Sequence, residues 1–237
     1  MPIRHVTLAE TGSTNDAVAE RAASGEAEGL WLRAERQTAG RGRRGREWSS
    51  PAGNLHVSSF VRLRDEDPPS QTLALVAAIA LYDATKRYVP ATRLTVKWPN
   101  DLLLNGVKLA GILLERSGEV VVLGFGVNLA SHPPDLDRPA TSLAAVDVDL
   151  PSPDGFAAGL AEAFAAWLAR WREAGLAAIC EAWLARAHPV GMALVARLSD
   201  GDEVVGAFDG LAEDGALRLR LVDGTLRTIH AADVFTL

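Results

Sequence analysis

The sequence predicts an α+β protein: a mixed β-sheet flanked by helices, followed by a small C-terminal β-barrel. Three observations predict it. Strand-like and helix-like segments interleave from Ile3 to Phe125. A stretch rich in Ala, Leu and Trp then runs with helical spacing from Asp154 to Ala187. The last fifty residues switch to short alternating strands separated by Asp-Gly turns. At 237 residues, 48% hydrophobic and 23% charged, the chain has ordinary globular composition and enough length for one large domain and a smaller one.

Ile3, Val6 and Leu8 with His5 and Thr7 make an opening strand. Gly12-Ser13-Thr14-Asn15-Asp16 starts a helix, with Ser13 as N-cap and Asp16 as the acidic partner of a capping box, and Gly25 stops it. Leu30 to Ala34 and Asn54 to Leu63 are the next strands. Gln71 to Tyr88 is a helix buried on more than one side. Thr95-Val96-Lys97 is a short strand ended by Pro99, and Asn105-Gly106 is a strong hairpin turn. Leu109 to Glu115 and Glu119 to Phe125 follow as strands. Asp154 to Ala187 reads as two helices broken near Gly175. Ala193 to Arg197, Glu203 to Asp209, Ala216 to Leu221 and Thr225 to Ile229 form the small barrel, which at ~50 residues is marginal alone and is expected to dock on the rest. The domains are therefore expected at 1–187 and 188–237.

Several classes are excluded or disfavoured. No apolar run approaches the ~18 residues of a membrane span, and the segment Met1 to Glu10 lacks the pattern of a signal peptide. Cys180 is the only cysteine, so an internal disulfide and a multi-thiolate metal site are impossible. A cytoplasmic protein is the expectation. The net charge is −6, yet six arginines and one glutamate fall between Arg33 and Arg46. A general nucleic-acid binder spreads its basic residues over a broad face. Charge this concentrated suits a small anion, although a solvated charge run is the plainer alternative.

Gly40-Arg41-Gly42-Arg43-Arg44-Gly45-Arg46 contains a GxGxxG pattern. Glu47-Trp48-Ser49-Ser50-Pro51 does not start the helix that a dinucleotide fold requires, and no kinase motifs follow. Glycines let a backbone approach an anion closely, and guanidinium forks match phosphate oxygens. Four arginines in six positions repel one another, so the loop is expected to be mobile until a phosphate-bearing ligand orders it. Only three lysines accompany 21 arginines, and two of them, Lys97 and Lys108, fall in one twelve-residue stretch. A compact point charge is the role arginine fills badly. Asn100 and Asp101 either present ligands for a substrate or Mg²⁺ just past a strand or simply form a turn.

Together these motifs resemble the biotin protein ligase family. In family order they are Gly12-Ser13-Thr14-Asn15, then Gln37 with Gly40 to Arg46 and Trp48. Lys97-Trp98-Pro99-Asn100-Asp101 with Lys108-Leu109-Ala110-Gly111-Ile112-Leu113 comes next, and Gly124-Phe125-Gly126-Val127-Asn128 is last. The resemblance implies an SH3-like C-terminal barrel. It implies ATP-dependent formation of biotinyl-5′-AMP and transfer of biotin to a lysine of the carrier domain of a carboxylase. Biotin is then a substrate, and Mg²⁺ accompanies the ATP phosphates without assigned protein ligands. It further implies that Ser13, Thr14, Asn15, Gln37, Gly40, Arg41, Gly42, Arg43, Lys108 and Gly111 bind biotin. Arg44, Arg46, Trp48, Asn100, Asp101, Lys108 and Asn128 would bind ATP or the adenylate, and Lys108, Arg41 and Arg43 would be catalytic. Because the Ser-Thr-Asn motif begins at Ser13 and the net charge is acidic, no DNA-reading domain and no DNA partner are expected; without a membrane-length apolar run, no membrane partner is expected either.

Overall fold

The computed structural model describes residues 2–134 and 139–236. Its larger sheet has seven strands in the order β1-β2-β3-β7-β6-β5-β4. These are β1 (Arg4–Thr11), β2 (Leu30–Gln37), β3 (Leu55–Arg62), β4 (Leu94–Lys97), β5 (Asp101–Leu104), β6 (Val107–Ser117) and β7 (Val120–Val127). β1 and β2 are parallel, joined through helix α1 (Thr14–Ala23), and every other neighbour is antiparallel, so the sheet is mixed as expected.

Alternation sends β2 side chains to two cores. Leu30 and Leu32 meet Val18 and Ala22 of α1, while Trp31 points to the opposite face. There α2 (Leu73–Thr85) and the long α3 (Pro153–Leu184) cover the sheet. Burial on both faces explains why β2 and β3 carry apolar runs rather than clean alternation. α3 breaks at Gly175, whose φ of 74° leaves the helical region, and Ser152 caps its start by accepting from the Gly155 N–H at 3.1 Å. The expected break is therefore present.

Some local expectations differ. Ser13 is the N-cap of α1 but makes no side-chain cap bond, and Asp16 turns to Arg41 instead of completing a capping box. The sequence reading passed over β5, since Asp-Leu-Leu-Leu is short and does not alternate. Its hairpin to β6 does turn at Asn105 (φ 52°) and Gly106 (φ 79°), both left-handed as a tight two-residue turn demands.

The C-terminal strands β8 (Ala193–Arg197), β9 (Glu203–Leu211), β10 (Leu217–Arg220), β11 (Leu226–Ile229) and β12 (Asp233–Thr236) form an antiparallel sheet in the order β11-β10-β9-β8-β12. The expected barrel is thus five-stranded and is not closed by hydrogen bonds, because β11 and β12 occupy its two edges. This sheet shares its apolar core with the larger one: Trp183 of α3 meets Phe208 of β9 edge-on, centroids 6.5 Å apart. The Trp98 indole N–H also donates to Gly215 O, at 3.2 Å. Among the described residues no helix is long and apolar enough to cross a membrane.

Candidate active site

A cavity of about 690 Å³ opens where α1, the loop after β2, β6, β7 and β12 converge. Its first wall is neutral and polar. Ser13, Thr14 and Asn15 are buried at the start of α1. Gln37, at the end of β2, accepts the Thr14 N–H at 2.8 Å and donates to Ser50 Oγ at 3.0 Å. Ser58 of β3 lies 2.6 Å from Asn15 Oδ1 and 2.7 Å from Thr14 Oγ1. Asn15 Nδ2 donates to Glu115 Oε2 at 2.6 Å. Each side chain here is held by its neighbours, which fixes which donors and acceptors face the cavity.

β7 makes room for this wall. A Cβ at Gly124 would collide with the Asn15 amide, and one at Gly126 would overlap the Trp48 indole. The Gly-Phe-Gly spacing therefore opens two gaps on one face of the strand while Phe125 packs into the core on the other. Gly111 lies beneath both the Trp48 ring and Lys108.

The second wall is cationic. Lys108 Nζ sits 2.7 Å from Asp101 Oδ1 and 5.6 Å from the Trp48 ring centroid. Lys97 reaches the other carboxylate oxygen of Asp101, at 3.4 Å. Burial alone would push the Asp101 carboxyl up, but the Lys108 and Lys97 ammonium groups outweigh it and hold it below its usual range. Both oxygens of Asp101 thus serve lysines. Asn100 donates to Ile112 O at 2.6 Å, and its Oδ1 accepts from Arg43 at 3.4 Å. Asn128, buried at the end of β7, donates to Thr141 O at 3.0 Å and so ties down the segment beside the cavity.

The arginine cluster separates. Arg33 leaves the site altogether and pairs with Asp154 at 2.7 Å, and Arg36 pairs with Glu10. Of the cluster only Arg41, Arg43 and Arg46 line the cavity, and three carboxylates offset the repulsion within Arg41 to Arg46. Arg41 is bound by Asp16 and Glu115. Arg43, Arg44 and Arg46 share Asp233 of β12, at 3.7, 3.8 and 3.1 Å. Arg43 also donates to Ala232 O at 3.1 Å. Burial pushes the Arg43 guanidinium down, with Asp233 and Asp101 opposing, and it stays charged. Gly40 is buried beneath Trp48 and Ser50, where a Cβ would collide with the Trp48 carbonyl.

Of the residues that the resemblance implies bind biotin or ATP, all but Gly40 and Arg44 line this cavity, and those two belong to the same loop. Sequence reasoning missed Asp16 as a partner of the loop, and also Ser58, Glu115 and Asp233. Ser58 had a signal, as a hydroxyl in an apolar strand. Asp233 had none, because its partners lie nearly two hundred residues away.

The pattern of the biotin/lipoate A/B protein ligase family matches residues 8–129, and that of the biotin protein ligase C-terminal domain matches 195–237. The chain belongs to the biotin/lipoate A/B protein ligase family. Within it, the biotin–[acetyl-CoA-carboxylase] ligase of Paracoccus denitrificans is 44% identical, over 96% of this chain and 98% of its own. That of Mycobacterium tuberculosis is 38% identical, over 96% and 86%. The biotin protein ligase from Aquifex aeolicus, solved in complex with biotin and ATP, shares the fold with a TM-score of 0.87 over 99% of both chains, at 23% identity. The ligase family's two matched segments coincide with the two sheets, and the cavity lies between them.

Proposed function

We propose that this chain is an ATP-dependent biotin protein ligase acting on the carrier domain of a carboxylase. One observation carries the reading: a single cavity joins a neutral wall of hydroxyls and amides to a wall of paired cations beside the Trp48 indole. The ureido ring of biotin offers one carbonyl acceptor and two N–H donors, which suit Ser13, Thr14, Asn15 and Gln37. Such a wall also rejects acids lacking the ring, since its own polar groups would be left unpaired.

In the first step a carboxylate oxygen of biotin attacks the α-phosphorus of ATP, the bond to the β-phosphate breaks, and pyrophosphate leaves. In the second, the ε-amine of the acceptor lysine attacks the acyl carbon, loses a proton, and AMP departs. Negative charge crowds both transition states, so Lys108 and Arg43, already aimed by Asp101 and by Asn100 with Ala232, are assigned to stabilise it. Asp101 acts through Lys108. Trp48, Asn128, Arg44 and Arg46 are assigned to the nucleotide side, and Gly40, Gly42 and Gly111 supply the close approach. ATP enters as its Mg²⁺ complex. Among the described residues no three His, Cys, Asp or Glu side chains come together as a metal cage, so the ion is assigned to phosphate oxygens and water.

The functional division is assigned to 1–187 for chemistry and 188–237 for the C-terminal unit, with the cytoplasm as the compartment of both substrates. The test is incubation with ATP, Mg²⁺ and either biotin or lipoate, following pyrophosphate release and the mass of an added carrier domain. Biotin-dependent release and a mass gain of one biotin are expected. Release with lipoate alone, or no gain on the carrier, overturns the reading.

A further inference from the structure

We propose that Asp16 and Glu115 are positioning residues that clasp Arg41, holding the arginine-glycine loop closed over the biotin pocket and setting how fast biotin leaves. The proposal rests on the biotin-ligase reading above and assigns Arg41 to retention rather than to the phosphates.

The donor count of Arg41 points this way. A guanidinium has five N–H groups. Nη1 and one Nη2 hydrogen go to the two oxygens of Asp16. Nε and the other Nη2 hydrogen face Glu115 Oε1, at 3.4 and 3.3 Å. One N–H remains. The charge count agrees, because one guanidinium meets two carboxylates and a phosphate arriving there would find an excess of negative charge. The Asp16 hydrogen bonds raise the Arg41 pKa further and lower that of Asp16, so the Arg41–Asp16 pair stays ionised at neutral pH.

The clasp touches both the loop and the pocket. Arg41 pairs through its backbone with Glu47, so the segment between them is fastened where Arg41 is fastened. Glu115 uses its other oxygen on Asn15 Nδ2, at 2.6 Å. Asn15 Oδ1 faces Ser58. One carboxylate thus holds the loop's leading arm and fixes which way the Asn15 amide faces. Asp16 belongs to the same turn of α1 as the pocket wall but stands outside it, with its side chain 52% exposed.

The experiment measures biotin dissociation from the full chain by chase with excess unlabelled biotin, in wild type, Asp16→Asn and Glu115→Gln, at about 0.05 and 0.5 M salt. Exposed ion pairs are individually weak, so dissociation is expected to speed up about threefold in Asp16→Asn and about tenfold in Glu115→Gln. The KM for ATP should stay unchanged. Salt should hasten release from wild type and do so less in Asp16→Asn, a response that loss of packing would not produce. Asp16 is exposed, so its variant keeps the test alive if Glu115→Gln folds poorly. Unchanged dissociation in Asp16→Asn, or a KM for ATP rising in step with it, overturns the clasp. A wild type that retains no biotin removes the ligase reading and the clasp with it.

Discussion

Lys108 stands between a carboxylate and an indole, a position that a sequence can flag but not describe. The shortage of lysines drew attention to Lys97 and Lys108; that one buried carboxylate holds both was invisible, because Asp101 reads locally as part of a turn. Lys108→Ala should keep its fold and lose roughly 2–4 kcal/mol of transition-state stabilisation, about thirtyfold to nearly a thousandfold in single-turnover adenylation. Near-normal turnover would remove it from the chemistry. A second residue, His56, is fully buried on β3 with Nε2 3.3 Å from Pro51 O and, among the described residues, no partner at Nδ1. Burial pushes its pKa below the ordinary 6.5, with the Pro51 bond opposing and Arg33 adding to the fall. The native state therefore holds the neutral ring, while the unfolded chain takes up a proton as pH drops below about 6.5. Stability is full above that pH and declines below it. Urea midpoints at about pH 7.5 and 5.5 should differ in wild type and differ less in His56→Gln, with His188, also lowered by burial, accounting for part of what remains. An identical acid-side drop in the variant would absolve His56.

At the level of elements, strand existence was readable wherever turn residues bounded an apolar run, and failed for β5 and β12, four residues each. β12 matters most, since it brings Asp233 to three arginines of the loop. Asp233→Asn should raise the KM for ATP about fivefold, near 1 kcal/mol, because the three cations then repel without a counter-charge. Steady-state kinetics at low salt would detect this, and an unchanged KM would separate β12 from nucleotide binding. On β7 the two glycines were read as family markers, but their physical reason lies in the tertiary structure. Gly126→Ala should push the Trp48 indole off the cavity wall at a cost of ~1–3 kcal/mol in stability. A shift in tryptophan emission and weaker ATP binding are the expected readouts, and unaltered emission would argue against the cradle.

At the scale of the whole molecule, the α+β class, the mixed sheet and the second sheet were legible from periodicity and Asp-Gly turns. The open edges of the second sheet were not, because hydrophobic alternation says nothing about which strands pair at the ends. Nor was the apolar continuity between the sheets, where Trp183 and Phe208 close the seam. One cooperative transition in urea is expected for both sheets, with Phe208→Ala lowering stability by about 3–5 kcal/mol and preserving the single transition. Two separated transitions in wild type would show that the sheets unfold independently. Finally, the grip of Asp101 on two lysines bears on self-labelling. A product of this reaction acylates amines, and the chain carries only three lysines. Two are paired with the buried Asp101 carboxylate, at 2.7 and 3.4 Å. The third, Lys86, is engaged by Asp83 at 2.8 Å. All three lysine amines are thus held in ion pairs, which disfavours their attack on the acyl-adenylate anhydride made beside them.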